Sequence, residues 1–257
     1  MLFSAKEEES PEGKHSHYTI DYTPFTPERP ITRSFQAFDL SPIKAIASKD
    51  CKRKAKVGEG NSAVEYEGTW RGAIVAFKDM RERTLAKEQQ LEFENEIYIH
   101  YRLGSHPNVL PLFGADFEGP EKSIVLQFHP LGSVEDLFVT YKTLRPDEVL
   151  LMRDALNVAR CAAAGVLHLH HENLIHRDLA ARNFLVEKIG HQFSARIADF
   201  GLSRMVSTEP RGQSPTAQSS QSAGHIQAGE QLPLAFMDPW SYSQGTFSTV
   251  SDVYSFG

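Results

Sequence analysis

The run His176-Arg177-Asp178-Leu179-Ala180-Ala181-Arg182-Asn183 constrains this chain more than any other stretch. It gathers a carboxylate, two guanidinium groups and a carboxamide within eight residues, and Asp199-Phe200-Gly201 follows soon after. Between them lie two short apolar runs, Phe184-Leu185-Val186 and one that ends at Ile197-Ala198. Two short strands joined by a turn would bring Asp199 back beside Asn183 and Asp178. Three oxygen-bearing side chains would then face one small volume. Hard oxygen ligands of this kind suit Mg²⁺, which keeps several waters and is completed by substrate phosphates.

The stretch resembles the protein-kinase catalytic loop, and Asp199-Phe200-Gly201 is similar to the kinase metal-binding turn. Ala180-Ala181-Arg182 resembles the wording of tyrosine kinases and the tyrosine-kinase-like group. The resemblance covers residues 52–257 and implies an α+β, bilobal protein-kinase fold. That fold has a small β-rich N-lobe with one main helix and a larger helical C-lobe, here incomplete at the C-terminus. The expected division is a disordered or loosely packed arm over 1–51 and a kinase domain over 52–257. Within the domain the N-lobe spans about 52–126, the hinge about 127–132 and the partial C-lobe about 133–257.

Composition narrows the classes. The chain has 257 residues, room for one two-lobed domain, and is 40% hydrophobic. A net charge of −6 argues against a nucleic-acid polymer as partner, since phosphate backbones call for a basic surface. Cys51 and Cys161 show neither metal-ligand spacing nor a disulfide framework. No apolar run approaches the roughly 20 residues of a membrane helix, so no membrane segment is expected. The glutamate-rich start, Met1 to Ser10, lacks the apolar core of a signal peptide. These features point to a cytoplasmic or nuclear placement, or to the inner part of a longer membrane protein.

Along the chain, Pro11, Pro24, Pro27, Pro30 and Pro42 interrupt any helix or central strand in the arm. Its aromatics, Tyr18, Tyr22, Phe25, Phe35 and Phe38, leave room for packing on the domain. Val57-Gly58-Glu59-Gly60-Asn61-Ser62-Ala63 reads as a glycine-rich turn whose backbone could approach phosphate oxygens. Val75-Ala76-Phe77-Lys78 resembles the kinase strand whose lysine holds the α- and β-phosphates. A helix is expected over 84–103, with Leu91, Ile97, Ile99 and Leu103 apolar. Glu96 on it matches the glutamate that pairs with that lysine, in a register fixed by His106-Pro107-Asn108-Val109-Leu110. Ile124-Val125-Leu126 reads as a strand leading into the hinge, Gln127-Phe128-His129. Pro146-Asp147-Glu148 signals the start of a long buried helix carrying Val149, Leu150, Met152, Leu156, Ala159, Ala163, Val166 and Leu167. His168, His170 and His171 at its end read as helix-terminal histidines, not a metal cluster. Residues 203–231, rich in Ser, Gln, Gly and Thr, read as a long mobile segment where the family has its activation loop. Ser207, Thr208, Ser214, Thr216, Ser219, Ser220 and Ser222 are candidate phosphorylation sites, whose phosphate could pair with Arg177. No tyrosine occurs between Asp199 and Trp240.

The resemblance assigns roles. Asp178 is implied as acceptor of the substrate hydroxyl proton. Lys78, positioned by Glu96, grips ATP phosphates, and Arg182 helps place the acceptor side chain. Asn183 and Asp199 hold Mg²⁺. Val57, Gly58, Gly60, Ala76, Lys78, Leu126, Gln127, Phe128, His129 and Leu185 line the ATP site. The implied partners are ATP and a protein substrate in signal transduction, with the acceptor, Tyr or Ser/Thr, left open. Gly68-Thr69-Trp70-Arg71-Gly72 is similar to the tyrosine-kinase-like group, many of which use serine and threonine.

Three departures from the pattern favour an alternative, a pseudokinase or truncated fragment serving as a binding module. Ala63 stands where a third glycine is usual, and Asp238-Pro239-Trp240 replaces Ala-Pro-Glu. Glu65 stands where a valine normally roofs the adenine, and a carboxylate there would weaken nucleotide binding. A one-residue slip would put Val64 in the roof instead.

Overall fold

The computed structural model describes residues 5–8, 17–20, 38–60, 63–81, 87–119, 122–143, 152–206 and 234–257. Two strands of the arm, β1 (Ala5–Glu8) and β2 (His17–Ile20), pair antiparallel. The N-lobe sheet follows with β3 (Cys51–Glu59), β4 (Ala63–Trp70) and β5 (Ala73–Met80). Helix α1 (Lys87–Leu103) then leads to β6 (Leu112–Asp116) and β7 (Ser123–Gln127). The sheet order is β3-β4-β5-β7-β6, antiparallel throughout. Arg71 and Gly72, both at positive φ, turn β4 into β5 as a two-residue hairpin requires.

Strand alternation sorts the lobe into two faces. Val75, Phe77 and Val125 cluster with Ile46 on the outer face. Ile124, Leu126 and Met80 form the inner cluster with Phe93 and Ile97 of α1. Helix α1 therefore lies on the inner face of the sheet and carries Glu96 toward β5.

The C-lobe comprises α2 (Val134–Thr143), α3 (Met152–His171), β8 (Leu174–Ile175), β9 (Phe184–Ile189), β10 (Gln192–Ile197), β11 (Arg204–Met205), α4 (Pro239–Gln244) and α5 (Thr249–Phe256). Val158, Cys161, Ala162, Val166 and Leu169 of α3 pack on Val186, Ala195 and Ile197 of the β9–β10 hairpin and on Phe200. The hairpin turns at Gly190, φ 62°, which a residue with a Cβ adopts only with strain. Ile197 ends up opposite Phe184, and the Ala198 N–H donates to the Asn183 carbonyl at 2.9 Å. The expected return of Asp199 beside Asn183 is thus achieved by a six-residue register.

Four expectations need correction. The segment 38–50 is not loose. Ile43 and Ile46 are buried, the Ile46 N–H donates to Ala115 O at 2.8 Å, and the Phe38 ring packs tilted against Tyr98 with centroids 5.0 Å apart. Its apolar residues are too widely spaced to show a period, yet Ile43 and Ile46 each join a core cluster of the lobe. The arm also holds the antiparallel β1–β2 pairing. The segment after Asp199 begins as a strand, because β11 pairs with β8 and the Val206 N–H donates to Asn173 O at 2.8 Å. Helix α3 buries Val166 as expected but otherwise a different stripe, with Ala159, Ala163 and Leu167 exposed. Met152 and Leu156 are 74% and 62% exposed, and Asp154, Val158, Cys161, Ala162, Gly165, Val166 and Leu169 face inward. Small residues, which a hydrophobic count undervalues, let the hairpin approach. Residues 84–86 and 144–151, where both helices were expected to begin, and most of the serine-rich segment, 207–231, lie outside the described residues.

Candidate active site

Lys78 sits near the end of β5 and points inward because it alternates with Phe77, which fills the outer face. Its Nζ lies 2.8 Å from both carboxylate oxygens of Glu96 and 2.9 Å from Asp199 Oδ1. One ammonium thus joins the sheet, α1 and the turn after β10. Burial alone would lower the Lys78 pKa, but Asp199, Glu96 and Glu65 outweigh it and raise it. Burial raises the Glu96 carboxyl against the pull of Lys78. Lys78 in turn holds Asp199 down, to about 2. Asp199 adopts a left-handed backbone, φ 61°, a strained conformation for a non-glycine residue. Phe200 is fully buried between the rings of His176 and His100, and that anchors the turn.

Asp178 lies on the loop between β8 and β9. Its Oδ1 accepts from Arg182 Nη2 at 2.5 Å and its Oδ2 from Asn183 Nδ2 at 2.9 Å. Asn183 Nδ2 also donates to the Asp178 carbonyl at 2.7 Å, so both donors of that amide face Asp178. Desolvation raises the Asp178 pKa and Arg182 opposes it. The donor set of Asn183 and Asp199 is carboxamide and carboxylate oxygen, and Lys78 engages only one Asp199 oxygen. That chemistry fits a hard divalent cation such as Mg²⁺.

The loop is held from below by Asp252 in the first turn of α5. Its Oδ2 accepts from the His176 N–H at 2.8 Å and its Oδ1 from the Arg177 N–H at 2.9 Å. Arg177 is itself left-handed, φ 70°. Asp252 is 1% exposed and also receives His170 at 3.0 Å.

The rest of the expected ATP site surrounds this centre. Ala76 lies opposite Leu126 across β5 and β7, on the face of Lys78. Leu185 of β9 packs against the same inner cluster. Gln127, Phe128 and His129 leave β7, with the His129 ring buried and Nδ1 3.3 Å from Gln127 O. Val57 and Gly58 lie on β3, and the Gly60 N–H donates to Ala63 O at 2.9 Å. The register settles the roof: Glu65 lies opposite Lys78, and Val64 lies opposite Asp79 on the other face. No slip occurs, and Glu65 stands on the cleft face.

Residues 51–257 match the model of the protein tyrosine and serine/threonine kinase family. The chain belongs to this protein-kinase family. It is 32% identical over 240 residues to the tyrosine-protein kinase Abl of Drosophila melanogaster, covering 91% of this chain and 13% of that protein. It is 30% identical over 241 residues to a putative cysteine-rich receptor-like protein kinase 16 of Arabidopsis thaliana, covering 92% and 33%. It is 30% identical over 242 residues to the tyrosine-protein kinase Fer of Mus musculus, covering 91% and 26%. The chain therefore spans a third or less of the length of these relatives.

The kinase fold brings Lys78, Glu96, Asp178, Arg182, Asn183 and Asp199 to one cleft, with Ala76, Leu126 and Leu185 beside them. The sequence reading missed Asp252, which looks like an ordinary helix-start acid, although its place just past Ser248-Thr249 marks a capped first turn. It also missed His100, one turn beyond Glu96, the visible signal. Arg177 was expected to meet a loop phosphate. It is buried, its guanidinium 4.3 Å from the Phe247 ring and bonded to Leu202 O at 3.4 Å. The left-handed backbone at 177 turns the side chain inward. All seven candidate phosphorylation sites lie outside the described residues. Of the terminal histidines, His168 Nε2 is 2.8 Å from Leu103 O and His170 meets Asp252. Asp238 caps α4 through the Trp240 and Ser241 N–H groups, leaving Trp240 exposed. No helix among the described residues is long and apolar enough to cross a membrane.

Proposed function

We propose that this domain transfers the γ-phosphate of ATP to a hydroxyl of a protein, tyrosine or serine/threonine, as a step of intracellular signalling. The observation that carries this reading is the three-way link of Lys78 to Glu96 and Asp199 at 2.8–2.9 Å. It draws together elements from both sides of the cleft in the arrangement phosphoryl transfer needs. Mg²⁺, held by Asn183 and Asp199, would supply charge neutralisation for the phosphates. The chain's own residues do the positioning. Lys78 presents its ammonium to the α/β-phosphates. Asp178, oriented by Arg182 and Asn183, accepts the hydroxyl proton. The raised Asp178 pKa makes it a better base than an exposed carboxylate. The reducing, ATP-containing cell interior is the compartment this chemistry calls for, and the unpaired Cys51 and Cys161 agree with it.

Incorporation of labelled phosphate into a mixed peptide substrate tests the reading. Asp178→Asn keeps the size of the side chain and removes the base, so incorporation should fall by about 10²-fold or more. Equal incorporation by the two proteins rules the assignment out. Glu65 on the cleft face favours a second reading, a kinase-fold binding module. A melting temperature that stays constant at every Mg-ATP concentration selects that reading, since binding to the native state alone must raise it.

A further inference from the structure

Glu65 is a charged group of the cleft to which the proposed function gives no task. Its place follows from two registers. It lies opposite Lys78 across β4 and β5, and opposite Gly58 across β3 and β4. Directly opposed residues share a face, so Glu65 projects beside Lys78 and beneath the glycine-rich turn. Its Oε2 lies 3.1 Å from where a Cβ on Gly58 would stand, so the side chain has folded into the space that glycine leaves. Its carboxylate makes no hydrogen bond among the described residues. Lys78 already engages Glu96 and Asp199, and Glu65 is a third carboxylate around one ammonium. The cluster therefore gathers three carboxyl groups around one ammonium.

Glu65 is exposed, where water screens it from its neighbours. A ligand lying along the cleft removes that water. Charges at close range then interact several times more strongly than in bulk water. The burden falls on the phosphates, which must reach Lys78, and not on an uncharged base or ribose.

Resting on the proposed ATP site, we propose that Glu65 is a specificity-determining residue. It discriminates against the phosphate charge of a ligand that reaches Lys78, so that neutral adenosine retains affinity that Mg-ATP loses. Two other carboxylates help separate this role from net charge and from shape. Glu67, on the same strand and face but opposite Ala76, is 3.8 Å from Lys54 and sits farther from the phosphate path. Glu59 belongs to a surface group with Lys56 and Arg81.

The test is calorimetric titration of Mg-ATP and of adenosine into the whole chain and into E65Q, E65V and E67Q. Glutamine keeps the shape and removes the charge, and E65V removes the charge by another route should E65Q melt early. The expected result is about tenfold tighter Mg-ATP binding by E65Q or E65V, adenosine affinity changed less than about twofold by E65Q, and no change in either for E67Q. Equal tightening of both ligands by E65Q overturns the proposal, because the residue then acts on the base. Unchanged Mg-ATP affinity with both ligands still bound overturns it alone and leaves the ATP site standing. Failure of every protein to bind either ligand overturns this proposal and the proposed function together.

Discussion

His100 carries an imidazole into the interior, with the Phe200 ring edge-on at 4.7 Å and neither ring nitrogen well bonded among the described residues. Burial, and then the nearby Lys78 charge, lowers its pKa to about 3. The unfolded chain, with a histidine pKa of about 6.5, binds a proton that the folded chain refuses. Between those values the unfolded state holds more protons, so stability falls as pH drops below about 6.5. One group contributes a slope of at most about 1.4 kcal/mol per pH unit. His100→Leu removes that contribution and fills the site with an apolar side chain. Urea unfolding at pH about 7 and about 5.5 should show the parent losing about 1 kcal/mol more than the variant. Equal losses would mean that His100 is protonated in the folded state. Residue chemistry of this kind was only half legible beforehand. Glu96 was found because a lysine and a loop motif fixed its register, whereas nothing in Ile97-Tyr98-Ile99-His100 says that the histidine, and not Tyr98, turns inward.

Among the elements, α5 shows how a helix start governs a loop distant in sequence. Ser248 and Ser251 form a reciprocal capping box, which fixes the first turn and aims Asp252 at the loop after β8. Two backbone N–H groups, at His176 and Arg177, depend on that carboxylate. Truncation leaves both buried and unbonded, at about 1–3 kcal/mol each. Asp252→Ala should therefore lower stability by roughly 3 kcal/mol and raise hydrogen exchange at both amides. Intact protection at 176 and 177 in the variant would sink the account. Element existence was readable where a local signal ran: the β9–β10 hairpin from its apolar runs, and β5 and β7 from theirs. The inward stripe of α3 was not, because it rests on close approach more than on size. A Cβ on Gly165 would stand 2.6 Å from the Asn108 carbonyl oxygen, and Ala162 and Cys161 are small as well. Binary patterning counts Leu156 and Met152 above such residues and so chose the wrong face. Residues 38–50 escaped for the opposite reason, since a few well-placed side chains dock there without any period.

Across the whole molecule, Lys78 is an ionic joint between the lobes, bonded to Glu96 on one side and Asp199 on the other. The Leu110 N–H donates to Ile197 O and the Ile197 N–H to Asn108 O, both at 2.9 Å, tying the loop after α1 to β10. Those backbone bonds survive any side-chain change, so replacing Lys78 tests the ionic joint alone. Lys78→Met removes the only ammonium bonded to Glu96 among the described residues and leaves a buried carboxylate without its counter-charge. A stranded buried charge costs about 3–5 kcal/mol. Glu96 has an escape, because burial already raises its carboxyl pKa and the loss of Lys78 raises it further. A carboxyl whose folded pKa exceeds its unfolded value of about 4.3 gives stability that is present at low pH and lost as pH rises through the folded value. Lys78→Met should therefore be strongly destabilised at pH about 8 and much less so at pH about 5.5. Adding Glu96→Gln should remove that pH dependence, since a neutral amide has nothing to titrate. Asp199 does not confuse the result. Its pKa is held down first by Lys78 and rises in the variant, so any Asp199 contribution is what the double variant still shows after Glu96→Gln. Chemical unfolding of the parent, the single and the double variant at both pH values measures it. A penalty for Lys78→Met that is the same at both values would show that Glu96 never lost water on folding, and the joint would then be no more than a surface ion pair.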